Sequence, residues 1–120
     1  MLMLRIAIAG AGAIGREHVR RVMASTRCEL ACIVDTAPAT AEWCATTGFA
    51  LTDSVDAALK LEPIDGAIVA TPNATHTALA KVFLEAGVPV MVEKPISDSI
   101  EGGREIARVS RETGVPVSAA

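Results

Sequence analysis

Aromatic side chains are scarce in this chain: one Trp, two Phe and no Tyr, 2% of 120 residues. Its core therefore has to be assembled from Ala, Val, Ile and Leu, the composition of buried parallel strands. No basic stripe is present either. The 11 Lys and Arg residues are scattered or sit beside acids and the net charge is −3, so nothing follows a phosphate backbone and nucleic acid is not an expected partner. Cysteine is limited to Cys28, Cys32 and Cys44, an odd number without paired C-x-x-C spacing. No metal site is expected from them, and Cys28 and Cys32 are read as small apolar groups buried on one face of a strand. Uninterrupted apolar runs stay well short of the ~20 residues that span a bilayer, so no membrane partner is expected. The run Met1–Leu4 meets Arg5 at once, and the next apolar run leads directly into a glycine turn. Cleavage there would destroy the fold, so no signal peptide is read and a cytoplasmic protein is the expectation.

What the chain does have is hydrophobic residues, 51% of the total, in a length that makes one domain and buries roughly 65% of the unfolded chain's surface. Strand-like and helix-like patterns alternate from end to end. A first strand up to Ala9 is followed by Gly10-Ala11-Gly12-Ala13-Ile14-Gly15 and a helix over about 12–25, with Ile14, Val19, Val22 and Met23 on its inner side. A second strand ends at Asp35. Pro38 opens the next helix, which stops near Gly48. Phe49–Leu51 form a short strand, and Thr52 or Asp53 caps a helix through Leu61. After the break at Pro63 and Asp65-Gly66 come a strand over Ala67–Ala70, a helix capped by Asn73, and a strand over Val88–Val92. Ser97 or Asp98 caps a last helix weakened by Gly102 and Gly103, before a final strand at Val115–Val117.

This alternation predicts an α/β fold: a Rossmann-type, doubly wound, mostly parallel six-stranded sheet with helices on both faces and strand order 3-2-1-4-5-6. The ligand crevice then lies outside the carboxyl ends of strands 1 and 4. Four turns should meet there: the glycine turn, Asp35, residues 71–73 and residues 93–95. Gly10 permits the sharp turn, Gly12 lets the backbone approach a pyrophosphate, and Gly15 lets the helix lie against the strand. Asp35 follows Gly15 by twenty residues, where a carboxylate accepts hydrogen bonds from a ribose. A glycine turn serving structure alone is the competing reading. Thr71-Pro72-Asn73 reads either as a crevice wall or as an ordinary strand exit with a helix cap. Glu93-Lys94-Pro95 reads either as an acid and amine beside the crevice or as an exposed loop pair.

Gly10 to Gly15, the Thr71-Pro72-Asn73 turn with His76, and Glu93-Lys94-Pro95 together make the chain resemble the Gfo/Idh/MocA family of NAD(P)-dependent oxidoreductases, over its whole length. The resemblance implies a dinucleotide cofactor whose pyrophosphate meets the backbone around Ala13 and Ile14, and whose adenosine ribose is held by Asp35. It implies that Thr71, Pro72, Asn73 and His76 line the cofactor, and that Glu93 and Lys94 approach the nicotinamide ribose. Lys94 is the catalytic candidate, beside the substrate hydroxyl. His18 is read as a packed structural histidine on the inner side of the first helix. The expected activity of the whole protein is hydride transfer between NAD and a secondary alcohol of a sugar or polyol. The family's second, substrate-binding domain is absent from residues 1–120, so cofactor binding without turnover is expected; the face that domain would cover is open to self-association, and the sequence does not set the oligomeric state. NAD is expected over NADP, because Asp35 repels a 2′-phosphate and Thr36 and Ala37 offer no Arg clamp. A non-catalytic nucleotide-sensing module is the alternative, and an S-adenosylmethionine-dependent methyltransferase a weaker one.

Overall fold

A computed structural model of the chain describes residues 2–61 and 63–120; Met1, in the N-terminal run read above, lies outside them. Among the described residues six strands, β1 (Leu4–Ala9), β2 (Cys28–Val34), β3 (Leu51–Thr52), β4 (Gly66–Val69), β5 (Val90–Val92) and β6 (Val117–Ala119), form one parallel sheet in the order β3-β2-β1-β4-β5-β6. The connections are the helices α1 (Ala13–Ala24), α2 (Pro38–Thr47), α3 (Val55–Leu61), α4 (His76–Glu85) and α5 (Ile100–Thr113). Outward winding from β1 in both directions places α1 and α2 on one face and α3, α4 and α5 on the other. β1 shows the division residue by residue. Ala7 and Ala9 pack into a large cluster with Phe83, Leu84 and Ile106, whereas Ile8 packs into a smaller one with Val19, Val22 and Cys44.

Several local expectations shift for identifiable reasons. Ile14 and Met23 of α1 are 57% and 55% exposed. At 3.6 residues per turn they lie roughly 100° and 80° to either side of the buried stripe Gly15–Val19–Val22. Cys28 and Cys32 do not share a face: the β1–β2 register slips between Ile6 and Ala7, so Leu30 pairs with Ile6 but Cys32 with Ala7. Ala31 is the extra residue of a bulge, and Cys28 joins the smaller cluster while Cys32 joins the larger. β5 and β6 begin later than the apolar runs suggest because Pro89 and Pro116 have no N–H, although their carbonyls accept from Ala67 and Val90 (2.9 and 3.2 Å). β4 ends at Val69, and β3 lies at Leu51–Thr52, Phe49 having turned to pack edge-on against Trp43.

The helix caps fall one or two residues further along than the sequence reading put them. Ser54 Oγ, rather than Thr52 or Asp53, accepts from Ala57 N–H at 3.1 Å. Ser99 Oγ, rather than Ser97 or Asp98, accepts from Gly102 N–H at 3.0 Å. Asn73 caps no helix; it opens a single 3-10 turn over Asn73–Thr75, tightened by the Thr75 hydroxyl donating to Pro72 O (2.6 Å).

Candidate dinucleotide site

The crevice begins where β1 ends. Ala9 O accepts from Ala70 N–H (2.8 Å) on one side, and Gly10 N–H donates to Val34 O (2.8 Å) on the other, after which the three strands part. Gly10 turns with φ of +92°, and a Cβ there would meet Ala70 O at 2.5 Å. A Cβ on Gly15 would meet Gly10 O at 1.9 Å, so α1 starts pressed against the turn that feeds it. Gly12 has open space around it and caps α1 in an extended conformation with no side-chain hydrogen bond. The first N–H groups of α1 therefore face the crevice mouth without a side-chain acceptor and with no acid in the first turn.

Asp35 stands beside this turn, half-buried at the end of β2. Oδ2 accepts from Ala11 N–H and from the Thr40 hydroxyl, and Oδ1 from Ala37 N–H, each at 2.9 Å. Burial pushes its carboxyl up, but the donors at Ala37, Ala11, Thr40 and Thr36 outweigh burial and hold it below the ordinary range, so it stays ionised. A carboxylate has about four acceptor sites. Three are filled by full hydrogen bonds from within the chain, the Thr36 amide acting on the carboxylate without one, which leaves room on Oδ1 for one donor from outside. Ala11 is held at its carbonyl too, since Arg16 Nε donates to Ala11 O (3.1 Å) while its guanidinium lies 4.5 Å over the Trp43 ring.

Two pockets meet at Asp35. One, of about 370 Å³, is lined by Gly12, Ala13, Arg16 and Thr40. The other, of about 480 Å³, runs from Thr36 and Asp53 to Thr71, Pro72 and Leu79. Thr71 and Pro72 thus form a wall of the crevice, and Asn73 follows them in the exposed 3-10 turn. His76 lies behind that wall at 1% exposure. Its Nε2 is 2.8 Å from Thr71 O and its Nδ1 is 2.8 Å from Pro95 O. A neutral ring donates to one of these carbonyls; only a doubly protonated ring donates to both.

Glu93 N–H donates to Val69 O (3.0 Å), which fixes the end of β5 against β4. The Glu93 carboxylate meets His18 of α1, Oε1 lying 2.5 Å from Nε2. His18 is consequently more than packing: it joins α1 to the loop after β5. Lys94 is exposed, precedes a cis peptide bond to Pro95, and makes no hydrogen bond or ion pair with the described residues. Sequence reading did not find Thr40, Arg16 or the partner of His18. Thr40 follows Asp35 by five residues across a helix start, and only the folded backbone brings its hydroxyl back. Among the described residues no group of three or more His, Cys, Asp or Glu is arranged to hold a metal ion, and no helix is long and apolar enough to cross a membrane.

A parallel sheet wound outward from β1, with a glycine turn, uncapped helix amides and an ionised acid at the switch point, defines a nucleotide-binding domain of the Rossmann class. Comparison with known proteins makes this specific. A family model described as "Oxidoreductase family, NAD-binding Rossmann fold" (GFO_IDH_MocA) matches residues 4–120, and the chain belongs to that family. An inositol 2-dehydrogenase of Rhizobium meliloti is 32% identical over 110 residues, covering 92% of this chain and 33% of the relative. Among solved structures, GenD2 from gentamicin A biosynthesis, crystallised with NAD, superposes with a TM-score of 0.91 at 30% identity, covering 100% of this chain and 35% of that one. The WlbA dehydrogenase of Bordetella pertussis, crystallised with NADH and UDP-GlcNAcA, gives 0.91 at 28%, covering 99% and 35%. The chain thus spans about a third of the length of the relatives it matches. Membership of an oxidoreductase family sets the methyltransferase alternative aside.

Proposed function

We propose that the chain holds NAD across the crevice, with the pyrophosphate over the amides of Gly12, Ala13 and Ile14 and the adenosine ribose on the remaining acceptor site of Asp35. The single observation that carries this is the start of α1, whose amides no side chain caps, set beside an acid that its own backbone keeps ionised. Adenine fits the pocket between Thr36 and Pro72. Thr71, Pro72 and Asn73 give the wall along which the cofactor passes, with His76 behind it. Glu93 and Lys94 stand at the nicotinamide ribose. NAD is favoured over NADP because an ionised Asp35 opposes a 2′-phosphate.

In the whole protein the bound nicotinamide supplies hydride chemistry, and the substrate class we infer is a secondary alcohol of a sugar or polyol. Lys94, exposed and beside that end of the crevice, orients or polarises the reacting oxygen. Hydride transfer also needs an acid or base within hydrogen-bond reach of that oxygen. Among the described residues Lys94 is the group we assign to this, and we assign substrate binding to the part of the relatives' length that this chain does not span, so residues 1–120 alone bind the cofactor with little turnover. The same reading keeps the protein in the cytoplasm, away from nucleic acid and membranes, and leaves the face meant for the rest of the protein available for self-association.

Titration calorimetry and thermal shift with NAD and NADP test this. NAD at 100 times its dissociation constant stabilises the fold by about 2.7 kcal/mol, a rise of several degrees in Tm at this size. NADP should bind more weakly. Tighter binding of NADP would overturn the role of Asp35, and absence of binding by either would overturn the proposal.

A further inference from the structure

Lys94 carries the chemistry in the reading above, yet its ammonium makes no hydrogen bond or ion pair among the described residues. The backbone on both sides of it is fastened instead. On the amino side, Glu93 is tied through its N–H to Val69 O and through its carboxylate to His18. On the carboxyl side, the first turn of α4 holds the following residues at successive points. His76 Nδ1 meets Pro95 O at 2.8 Å, and Thr77 Oγ1 lies 3.0 Å from Ser97 Oγ. Ile96, between them, packs onto the larger core cluster.

Gly102 belongs to the same arrangement. A Cβ there would sit 2.1 Å from Ser97 Oγ and 2.6 Å from Thr77 Oγ1, so the glycine that weakens α5 is the one that leaves room for this hydroxyl pair. His76 also reaches Thr71 O with its other nitrogen. One buried ring therefore sets the distance between the crevice wall after β4 and the loop that bears the lysine.

We infer that His76 and Thr77 are positioning residues that place Lys94 at the nicotinamide end of the cofactor, with Gly102 kept small so that they do. This rests on the proposed assignment of Lys94. It predicts a split between two ligands: ADP, which carries only the adenosine and diphosphate, and NAD, which extends to the lysine.

The experiment measures the dissociation constants of both ligands for the 120-residue chain and its variants by calorimetry. Lys94→Ala should weaken NAD about tenfold and leave ADP within about twofold. Thr77→Val, which keeps the side chain's shape, should show the same split, as should Gly102→Ala. Thr77→Ser should restore the parent values. In the Lys94→Ala background Thr77→Val should add nothing, because both act through one group. His76→Ala should repeat the pattern, and Thr77→Val serves in its place where the histidine variant does not fold. Equal loss of NAD and ADP affinity, or additive losses in the double variant, would overturn the positioning role. A parent chain that binds ADP but gains nothing from the rest of NAD would overturn the assignment of Lys94, and binding of neither would overturn the cofactor reading as a whole.

Discussion

The two halves of the sheet build their share of the crevice by different means. From β1 to β3 the site is backbone: a glycine turn, uncapped amides, and an acid whose position is dictated by three donors of its own chain. From β4 to β6 it is side chains bridging loops: His76 between Thr71 and Pro95, Thr77 to Ser97, His18 to Glu93. The first half changes chiefly by displacing main chain or by altering Asp35 itself, whereas the second can be loosened one bridging side chain at a time. That difference suits a cofactor whose adenosine end is an anchor and whose nicotinamide end must meet a substrate.

The sharpest way to break the contrast is at the glycines. Gly15→Ala puts a methyl 1.9 Å from Gly10 O, and moving that backbone should cost about 3 kcal/mol or more. Thermal denaturation should show the loss together with loss of NAD binding. No comparable single substitution is expected in the loops after β4 and β5.

Next in size is Asp35→Asn. It replaces an ionised acceptor of three hydrogen bonds and should destabilise the chain by about 1–3 kcal/mol, with weaker NAD binding. The pH dependence has a definite sign. Because the folded chain holds Asp35 below its ordinary range, the unfolded chain takes up that proton first as the pH falls. The stabilisation is full above about pH 4–5 and is lost as the pH drops through the lower folded value. Denaturant titrations at a series of acid pH values should therefore show the parent losing stability faster than Asp35→Asn.

Smaller effects belong to the second half. Ser99→Ala removes the cap of α5 and should cost about 1 kcal/mol, read as a lower denaturant midpoint at unchanged slope. Lys94→Ala should change stability by less than about 0.5 kcal/mol, since the lysine is exposed and unpaired among the described residues. Its effect should appear in NAD affinity alone.

The same contrast explains what was legible in the sequence. The turn at Gly10, the close approach at Gly15, the start of α2 at Pro38 and the acid at the end of β2 follow from patterns a few residues long, and strand order from the end-to-end alternation of strands and helices with right-handed crossovers. The parity of β2 was not legible, because Cys28–Val34 is a near-continuous apolar run buried on both faces and a bulge at Ala31 leaves no mark in such a run. Neither was the pairing of His18 with Glu93, 75 residues apart. A lone histidine beside an apolar stripe looks the same whether it packs or reaches across a crevice. Nor was the cap of α5 legible, because three cap-forming residues, Ser97, Asp98 and Ser99, stand together. The hydroxyl of Ser97 is engaged by Thr77, a contact that only the tertiary fold creates.

Backbone amide shifts followed by two-dimensional NMR during an NAD titration test the assignment most directly. Gly12, Ala13 and Ile14 should move together with Glu93 and Lys94, one set at each end of the cofactor. Saturable binding that leaves the Gly12–Ile14 amides unshifted would contradict it.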